Sequence, residues 1–377
     1  MKRGHVVAML LDSALRTWGT REDLHMMLSK GLATHGAKSV LVFSEAPAAE
    51  LRDRYEAEGI AVEVINYKRG PWHYYRRLGE VVRKHSVTAV HIAFFNYFDP
   101  LPWMARLNGV RSIIYHERNP GILRAKSWKM QLIRLRTRIA SWPMTRVISI
   151  SYFLERQLTA AGIPARKITV IHHGIDIGKY RPDPEARPRV AAEFRIAPGE
   201  LIVVSLCYLM PHKNIDTLLQ SCRILADRGV PVRTFIVGEG PLRGDLEALA
   251  KKLRLSDQVH WLGHIKDPVP LLQAADVFLL ISEGEGFGLA IAEGMACGAT
   301  AVASDSGALP EIVEDGKSGL VVPLRDAGAL AEAIQKLACD EGLRRRLAQS
   351  GLERVRTLFS VGKSTQSIVD LYATALP

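Results

Sequence analysis

Ser282–Gly319 reads SEGEGFGLAIAEGMACGATAVASDSGALPEIVEDGKSG, and this stretch decides the fold. Just before it lies Val277–Ile281, an apolar run of the right length for a buried strand. Gly284, Gly286 and Gly288 then surround Glu285 and Phe287 and lead into Leu289–Ala296, which has a helical pattern. Glycines in such a turn let the backbone approach a ligand closely, and the helix N-terminus behind them favours an anion. Glu293 lies about two turns along that helix. At that depth a carboxylate is poorly placed for a phosphate but suited to accept hydrogen bonds from the hydroxyls of a ribose or sugar. A second strand, Ala299–Ala303, and a second glycine turn, Ser304–Gly307, follow. Strand, glycine turn, helix and strand again describe an open α/β sheet, which places its ligands at strand ends. Any one of these turns could be only a tight turn; their succession is what carries the site.

The same alternation extends in both directions. Upstream, strands are expected at His5–Leu11, Ser39–Ser44, Ile60–Asn66, Val87–Phe95, Arg111–Glu117, Arg146–Ser151 and Lys167–His172, with helices such as Glu22–His35 and Tyr75–Lys84 between them. Gly174–Pro198 breaks the pattern with Pro182, Pro184, Pro188 and Pro198, and marks a domain boundary. Strands resume at Leu201–Leu209, Val232–Gly238, Gln258–Gly263, Val277–Ile281, Ala299–Ala303 and Gly319–Val322. Val361–Leu376 reads as a closing amphipathic helix. Two doubly wound halves joined by a hinge are the simplest architecture.

A chain of 377 residues, 47% hydrophobic and 24% charged, has ample apolar material for such cores. Cys207, Cys222, Cys297 and Cys339 lack ligand spacing and read as reduced, buried thiols of a reducing compartment. Val6–Leu11, closed by Asp12, reads as a first strand rather than a signal peptide, and no apolar run is long enough to span a membrane. The net charge of +11 asks for an acidic partner, whether nucleic acid, anionic lipid or a phosphorylated small molecule. Without a zinc-finger, RNP-like or helix-turn-helix signature, nucleic acid is the least favoured of these.

Glu285-x7-Glu293, Met295–Gly298, Ser304-Asp305, Pro310-Glu311 and Gly316-x-x-Gly319 together resemble the donor-site signature of retaining nucleotide-sugar glycosyltransferases. The resemblance is to the large GT-B family that includes bacterial mannosyl-, glucosyl- and N-acetylglucosaminyltransferases. It implies an α/β fold of two Rossmann-like domains facing across a central cleft. Residues 1–180 would form the acceptor-side domain, with helix 360–377 packing back on it, and residues 181–359 the donor domain.

Residue by residue, the resemblance assigns catalytic roles to His116, Lys213 and Glu285. His116 ends a strand, and the family carries after this strand a histidine that meets the transferred sugar. Lys213 lies where a lysine grips the donor diphosphate, and Glu285 would hold sugar hydroxyls. Gly19 would offer a backbone amide near the diphosphate, although the family usually has two adjacent glycines there. Tyr208 stands where the family has an arginine, and Cys207 and Asn214 stand where it has glycines. Gly238 resembles a family turn, and the Trp261–Ile265 segment, with His264 and Ile265, resembles the stretch beside the nucleotide base. The amides of Gly286, Phe287, Gly288 and Leu289 would hold the sugar and the departing diphosphate, and Glu293 the ribose. His172-His173-Gly174 reads as a hinge turn, since adjacent strand histidines point to opposite faces and chelate poorly.

No Asp-x-Asp or histidine-rich ligand set is present, so no metal and no cofactor are expected; the donor is a nucleoside-diphosphate sugar, with UDP favoured over GDP from family breadth. A catalytically dead sugar-nucleotide binder and an epimerase of the same fold are the rival functions. For the acceptor, two basic stretches matter. One is Tyr67–Arg77. The other runs from 118 to 154, with eight Lys or Arg and no Asp or Glu. Within it Trp128, Leu132, Leu135 and Ile139 form a helical stripe, readable as a helix packed on the core with a solvated basic face or as a seat on anionic headgroups. The second reading implies a lipid-linked acceptor and a cytoplasmic enzyme held on the inner face of the membrane. A soluble small-molecule or polysaccharide acceptor is the alternative.

Overall fold

Branched apolar residues buried on both faces build two separate parallel sheets. A computed structural model describes residues 4–11, 20–66, 69–93, 99–118 and 127–375, with side chains from residue 25 in the first helix and from residue 131 in the helix starting at Ser127. The chain divides into two units, one formed by Met1–Gly174 with Val361–Pro377 and the other by Ile175–Ser360.

In the first unit the strands are β1 (Val6–Leu11), β2 (Lys38–Phe43), β3 (Ala61–Val64), β4 (Ala89–Ala93), β5 (Ser112–Glu117), β6 (Arg146–Ser149) and β7 (Ile168–Val170). They lie in the order β3-β2-β1-β4-β5-β6-β7, every pair parallel. In the second they are β8 (Leu201–Leu206), β9 (Val232–Val237), β10 (Val259–Gly263), β11 (Val277–Leu280), β12 (Thr300–Ser304) and β13 (Gly319–Val322). Their order is β10-β9-β8-β11-β12-β13, again all parallel. All six residues of β1 and of β5 are buried, as expected where helices cover both faces of a sheet.

Each expected strand is present, and several are shorter than the apolar runs suggested. β8 stops at Leu206; Cys207 and Leu209 still donate to the carbonyls of Val237 (3.0 Å) and Glu239 (2.8 Å) before Pro211 starts a single 3₁₀ turn, Pro211–Lys213. β7 is only three residues long, so His172 and His173 lie beyond it. β4 closes at Ala93, and Phe94 and Phe95 fall outside the described residues. One helix is longer than expected: Pro71–His85 starts at Pro71, whose missing N–H costs nothing in a first turn. Tyr67 and Lys68, at the head of the same basic stretch, lie outside the described residues.

Helix Val361–Ala375 belongs to the first unit. Ile368, Val369, Leu371 and Tyr372 join one core with Leu28, Leu32 and Met9. Ser364 Oγ donates to the carbonyl of His172 at 2.8 Å, and Ser112 Oγ donates to that of Ala375 at 3.0 Å. Where the chain passes between the units, Gly174 lies so close to Val361 that a Cβ there would overlap its Cα.

Two expectations need correction. Cys339 is exposed, so only Cys207, Cys222 and Cys297 are buried thiols. The helix Ser127–Ser141 does not pack its apolar stripe on the core: Leu132, Leu135 and Ile139 are 57%, 58% and 54% exposed. Thr137 and Ser141 are buried instead, with half-buried Ile133 and Ala140 on the same side. Periodicity identified the stripe and could not say which way it faces. The side chain of Trp128 lies outside the described residues.

Candidate functional site

The order of the second sheet reverses between β8 and β11, the place where open α/β sheets leave room for a ligand beyond their strand ends. Two loops meet there, one after β8 carrying Lys213 and one after β11 carrying Glu285. Lys213 Nζ donates to Glu285 Oε2 at 2.5 Å, and the two side chains are only 15% and 22% exposed. An ion pair this enclosed holds both groups in place.

The loops are tied together through their backbones. Glu283 N–H donates to His212 O at 2.7 Å. Asn214 Nδ2 donates to His212 O (3.0 Å) and Ile281 O (3.3 Å), joining the two. Asn214 has φ 46° and ψ 43°, the left-handed conformation that asparagine tolerates better than most side chains. That explains how it stands where the resemblance expects glycine.

A third loop, after β12, braces Glu285 from behind. Ser304 Oγ accepts from Ser282 N–H (3.1 Å) and donates to Ser282 O (2.9 Å), and Ser306 Oγ accepts from Gly284 N–H (3.1 Å). Ala308 N–H donates to Glu285 O at 2.9 Å. Gly307, at φ 67°, packs so tightly that a Cβ would overlap the Glu285 backbone nitrogen. Gly288, at φ 107°, caps the helix Leu289–Ala296, and a Cβ there would lie 2.7 Å from Leu309. Phe287 is buried with its ring edge-on to Phe359, centroids 5.6 Å apart. Its side chain anchors the loop and leaves its backbone as the part a ligand could use.

Glu293 meets a different environment. Burial pushes its carboxyl up to about 7, opposed by a hydrogen bond from the Tyr180 hydroxyl and by the charge of Lys179. Burial and this carboxyl in turn hold the Tyr180 phenol well above its usual range. Tyr180 was not singled out from the sequence, because Gly174–Pro198 reads as a linker and a linker tyrosine carries no local signal. Cys207, beside the Lys213–Glu285 pair, is raised to about 11 by burial, with Lys213 pulling the other way.

Gly238 N–H donates to Gly263 O at 2.8 Å, which joins the Gly238 turn to the His264 segment. A Cβ at Gly238, where φ is 128°, would overlap the Cys207 carbonyl. His264 is exposed and Ile265 half-buried. Tyr208 is 62% exposed. Gly19 lies outside the described residues.

His116 belongs to the first unit. It sits near the C-terminal end of β5, opposite Ala93 of β4, and is buried. Burial, followed by the charge of Arg118, holds its imidazole well below the usual range, so the ring is neutral. The His173 ring lies 6.1 Å from it, centroid to centroid. Among the described residues no three His, Cys, Asp or Glu side chains are grouped to hold a metal ion. No described helix is long and apolar enough to cross a membrane.

Residues 26–179 match the family model "Glycosyltransferase Family 4", and residues 187–354 match "Glycosyl transferases group 1". A GDP-mannose-dependent alpha-(1-6)-phosphatidylinositol monomannoside mannosyltransferase of Mycobacterium tuberculosis is 32% identical over 55% of this chain and 56% of its own length. The N-acetyl-alpha-D-glucosaminyl L-malate synthase of Bacillus anthracis is 27% identical over 60% and 58%. The chain thus spans a little over half the length of these relatives. Among solved structures, Anabaena HepE in complex with UDP and glucose superposes with a TM-score of 0.79 at 20% identity, covering 98% of this chain and 99% of that one. Together the two matched domains, which account for most of the chain, and the paired parallel sheets place it in the GT-B glycosyltransferase family.

Proposed function

We propose that the protein transfers a sugar from a nucleoside-diphosphate donor to an acceptor hydroxyl, with retention of anomeric configuration and without a metal ion. The observation that carries this reading is the enclosed Lys213–Glu285 pair, set beside the N-terminus of the helix Leu289–Ala296 where the sheet order reverses. The donor's diphosphate competes with Glu285 for Lys213. Once Lys213 turns to the phosphates, Glu285 is released to accept hydrogen bonds from the sugar's hydroxyls. Lys213 and the amides of Gly286–Leu289 stabilise the charge that grows on the diphosphate as the bond to the sugar breaks. The new bond forms on the same face of the sugar, and the acceptor's proton passes to the departing diphosphate. Glu293, ionised on binding, accepts from the ribose hydroxyls. His116 hydrogen-bonds an oxygen of the transferred sugar.

UDP is the favoured base; HepE was solved with UDP, while the mycobacterial relative is named for GDP-mannose. For the acceptor we favour a lipid-linked hydroxyl at an anionic, cytoplasm-facing membrane surface. The helix Ser127–Ser141 supports this. Leu132, Leu135 and Ile139 are exposed in one stripe, and exposed Arg136 and Arg138 lie on either side of it. Trp142, 66% exposed, continues the stripe and stacks on Trp103 at 5.2 Å. Apolar side chains edged by arginines suit the boundary between acyl chains and acidic headgroups.

The deciding experiment incubates the protein with UDP- and GDP-sugars and acidic lipid vesicles in EDTA, then follows nucleotide release and product configuration by NMR. A new glycosidic bond of retained configuration is expected. Inversion, a free epimerised nucleotide sugar, or turnover that appears only when a divalent metal is returned would each overturn the proposal.

A further inference from the structure

Among the described residues, five other than glycine have a positive φ. Ser86, Arg195 and Arg254 each close a helix, where such a conformation is common. The other two, Asn214 (φ 46°) and Arg325 (φ 63°), lie in different loops and meet. Arg325 follows β13. Its Nε donates to Asn214 Oδ1 at 3.2 Å, and its Nη2 donates to Glu283 Oε2 at 2.6 Å. One guanidinium thus bridges the residue after Lys213 and the residue two before Glu285.

Both ends of this bridge are set by the chain around them. Asn214 is buried, and its Nδ2 already serves the carbonyls of His212 and Ile281, so Oδ1 is the atom left to receive Arg325. The backbone of Arg325 is held from both sides. Leu324 N–H donates to Asp305 Oδ1 at 2.9 Å, and Asp326 caps the helix Ala327–Cys339 by accepting from Ala329 N–H at 2.8 Å. On its outer side the turn Pro211–Lys213 borders an open cleft of about 520 Å³, lined by Met210, Pro211, Leu242, Leu249 and Arg325, so packing does not hold it there.

We infer that Arg325 is a positioning residue: it clasps the Lys213 loop to the Glu285 loop and so presets the donor site before a nucleotide arrives. The inference rests on the proposed use of Lys213 and Glu285 in donor binding. A left-handed backbone is strained at any residue with a Cβ, whereas glycine takes the same φ freely. The ion pair with Glu283 does not offset that strain, because the two side chains are 62% and 38% exposed, and pairs so exposed contribute little to stability. What the guanidinium adds, and glycine could not, is reach to both loops at once. With the loop backbones fixed, the donor's diphosphate has only to turn the Lys213 side chain away from Glu285. Without the clasp it must also order the turn that carries Lys213, and that entropy weakens binding.

The test separates the backbone from the guanidinium. Arg325→Gly removes both the clasp and the strain, whereas Arg325→Ala removes the clasp and keeps the strain. Arg325→Gly should melt within about 2 °C of wild type, and Arg325→Ala lower. Both should bind UDP about tenfold more weakly by isothermal titration. Glu283→Gln should weaken UDP binding about two- to threefold alone and cost nothing further in Arg325→Gly. In the nucleotide-free protein, amide hydrogen exchange followed by mass spectrometry should be faster in both Arg325 variants at residues 207–214 and 282–285. Wild-type affinity in Arg325→Gly, or a loss confined to Arg325→Ala, would overturn the inference. So would weaker UDP binding with unchanged exchange, since Arg325 would then touch the nucleotide itself. The exchange measurement needs no nucleotide, so a wild-type protein that binds neither UDP nor GDP counts against the proposed donor site and not against the clasp.

Discussion

Glu293→Gln is the most informative single change, because it removes one titration and leaves an oxygen to accept from the Tyr180 hydroxyl. Burial raises the Glu293 carboxyl from 4.5 to about 7. At 1.36 kcal/mol per unit, that shift corresponds to about 3 kcal/mol of folding free energy. The sign follows from the direction. A carboxyl raised in the folded state is favoured there as the neutral acid, so its contribution is fully present below about pH 4.5 and is lost as the pH rises through about 7. Wild type and Glu293→Gln should therefore have similar stabilities near pH 5, and the variant should be the more stable above pH 8, by up to about 3 kcal/mol. Urea unfolding of both proteins between pH 5 and 8.5 measures this, and the difference at each pH cancels every other titration. Donor binding offers a second readout. Ribose hydroxyls donate to the carboxylate, so UDP should bind wild type about tenfold more tightly at pH 8 than at pH 6, and the variant with no such trend. Parallel stability curves for the two proteins would refute the reasoning, since the carboxyl would then titrate as if it were solvated.

Gly307→Ala should destabilise the second unit by about 1–3 kcal/mol and weaken UDP binding, because its Cβ would displace Glu285; normal melting and normal affinity would show that this loop does not position the glutamate. Lys213→Met should lower kcat/KM at least about tenfold with an unchanged circular dichroism spectrum, and near-normal turnover at low donor concentration would remove Lys213 from the reaction. Tyr208→Arg should tighten UDP binding if position 208 reaches the diphosphate, which isothermal titration would register; unchanged or weaker binding sets that placement aside. Arg136→Glu with Arg138→Glu should abolish sedimentation with anionic vesicles at low salt, and binding equal to wild type would mean that another surface meets the membrane.

The sheets were legible because their signal is local. Short apolar runs such as Leu201–Leu206 and Val277–Leu280 admit few readings once turn residues bound them. The Glu285 loop was legible for a related reason: glycines at 284, 286 and 288 mark a backbone that must turn sharply, and positive φ at Gly284 and Gly288 is what the turn required. What escaped depends on distant partners. Nothing near Tyr180 announces that its hydroxyl will meet Glu293, and nothing near Arg325 announces Asn214, 111 residues away. The helix Ser127–Ser141 shows a further limit. A stripe of leucines at helical spacing predicts a face, but only the neighbouring chain decides whether that face is covered, and here Thr137 and Ser141 took the covered side.

The first unit is made of two pieces of chain, Met1–Gly174 and Val361–Pro377, with the whole of Ile175–Ser360 between them. On the ribosome this reverses the usual order of completion. The strands of the first sheet emerge early, yet the helix that covers Met9, Leu28 and Leu32 emerges only after the second unit has been made. Until then the nascent first unit displays an apolar face, while the second, continuous in sequence, can fold at once. Truncation between 360 and 375 should therefore leave a folded second unit attached to an incomplete first one, a species that chaperones would bind and proteases would trim from its N-terminal side.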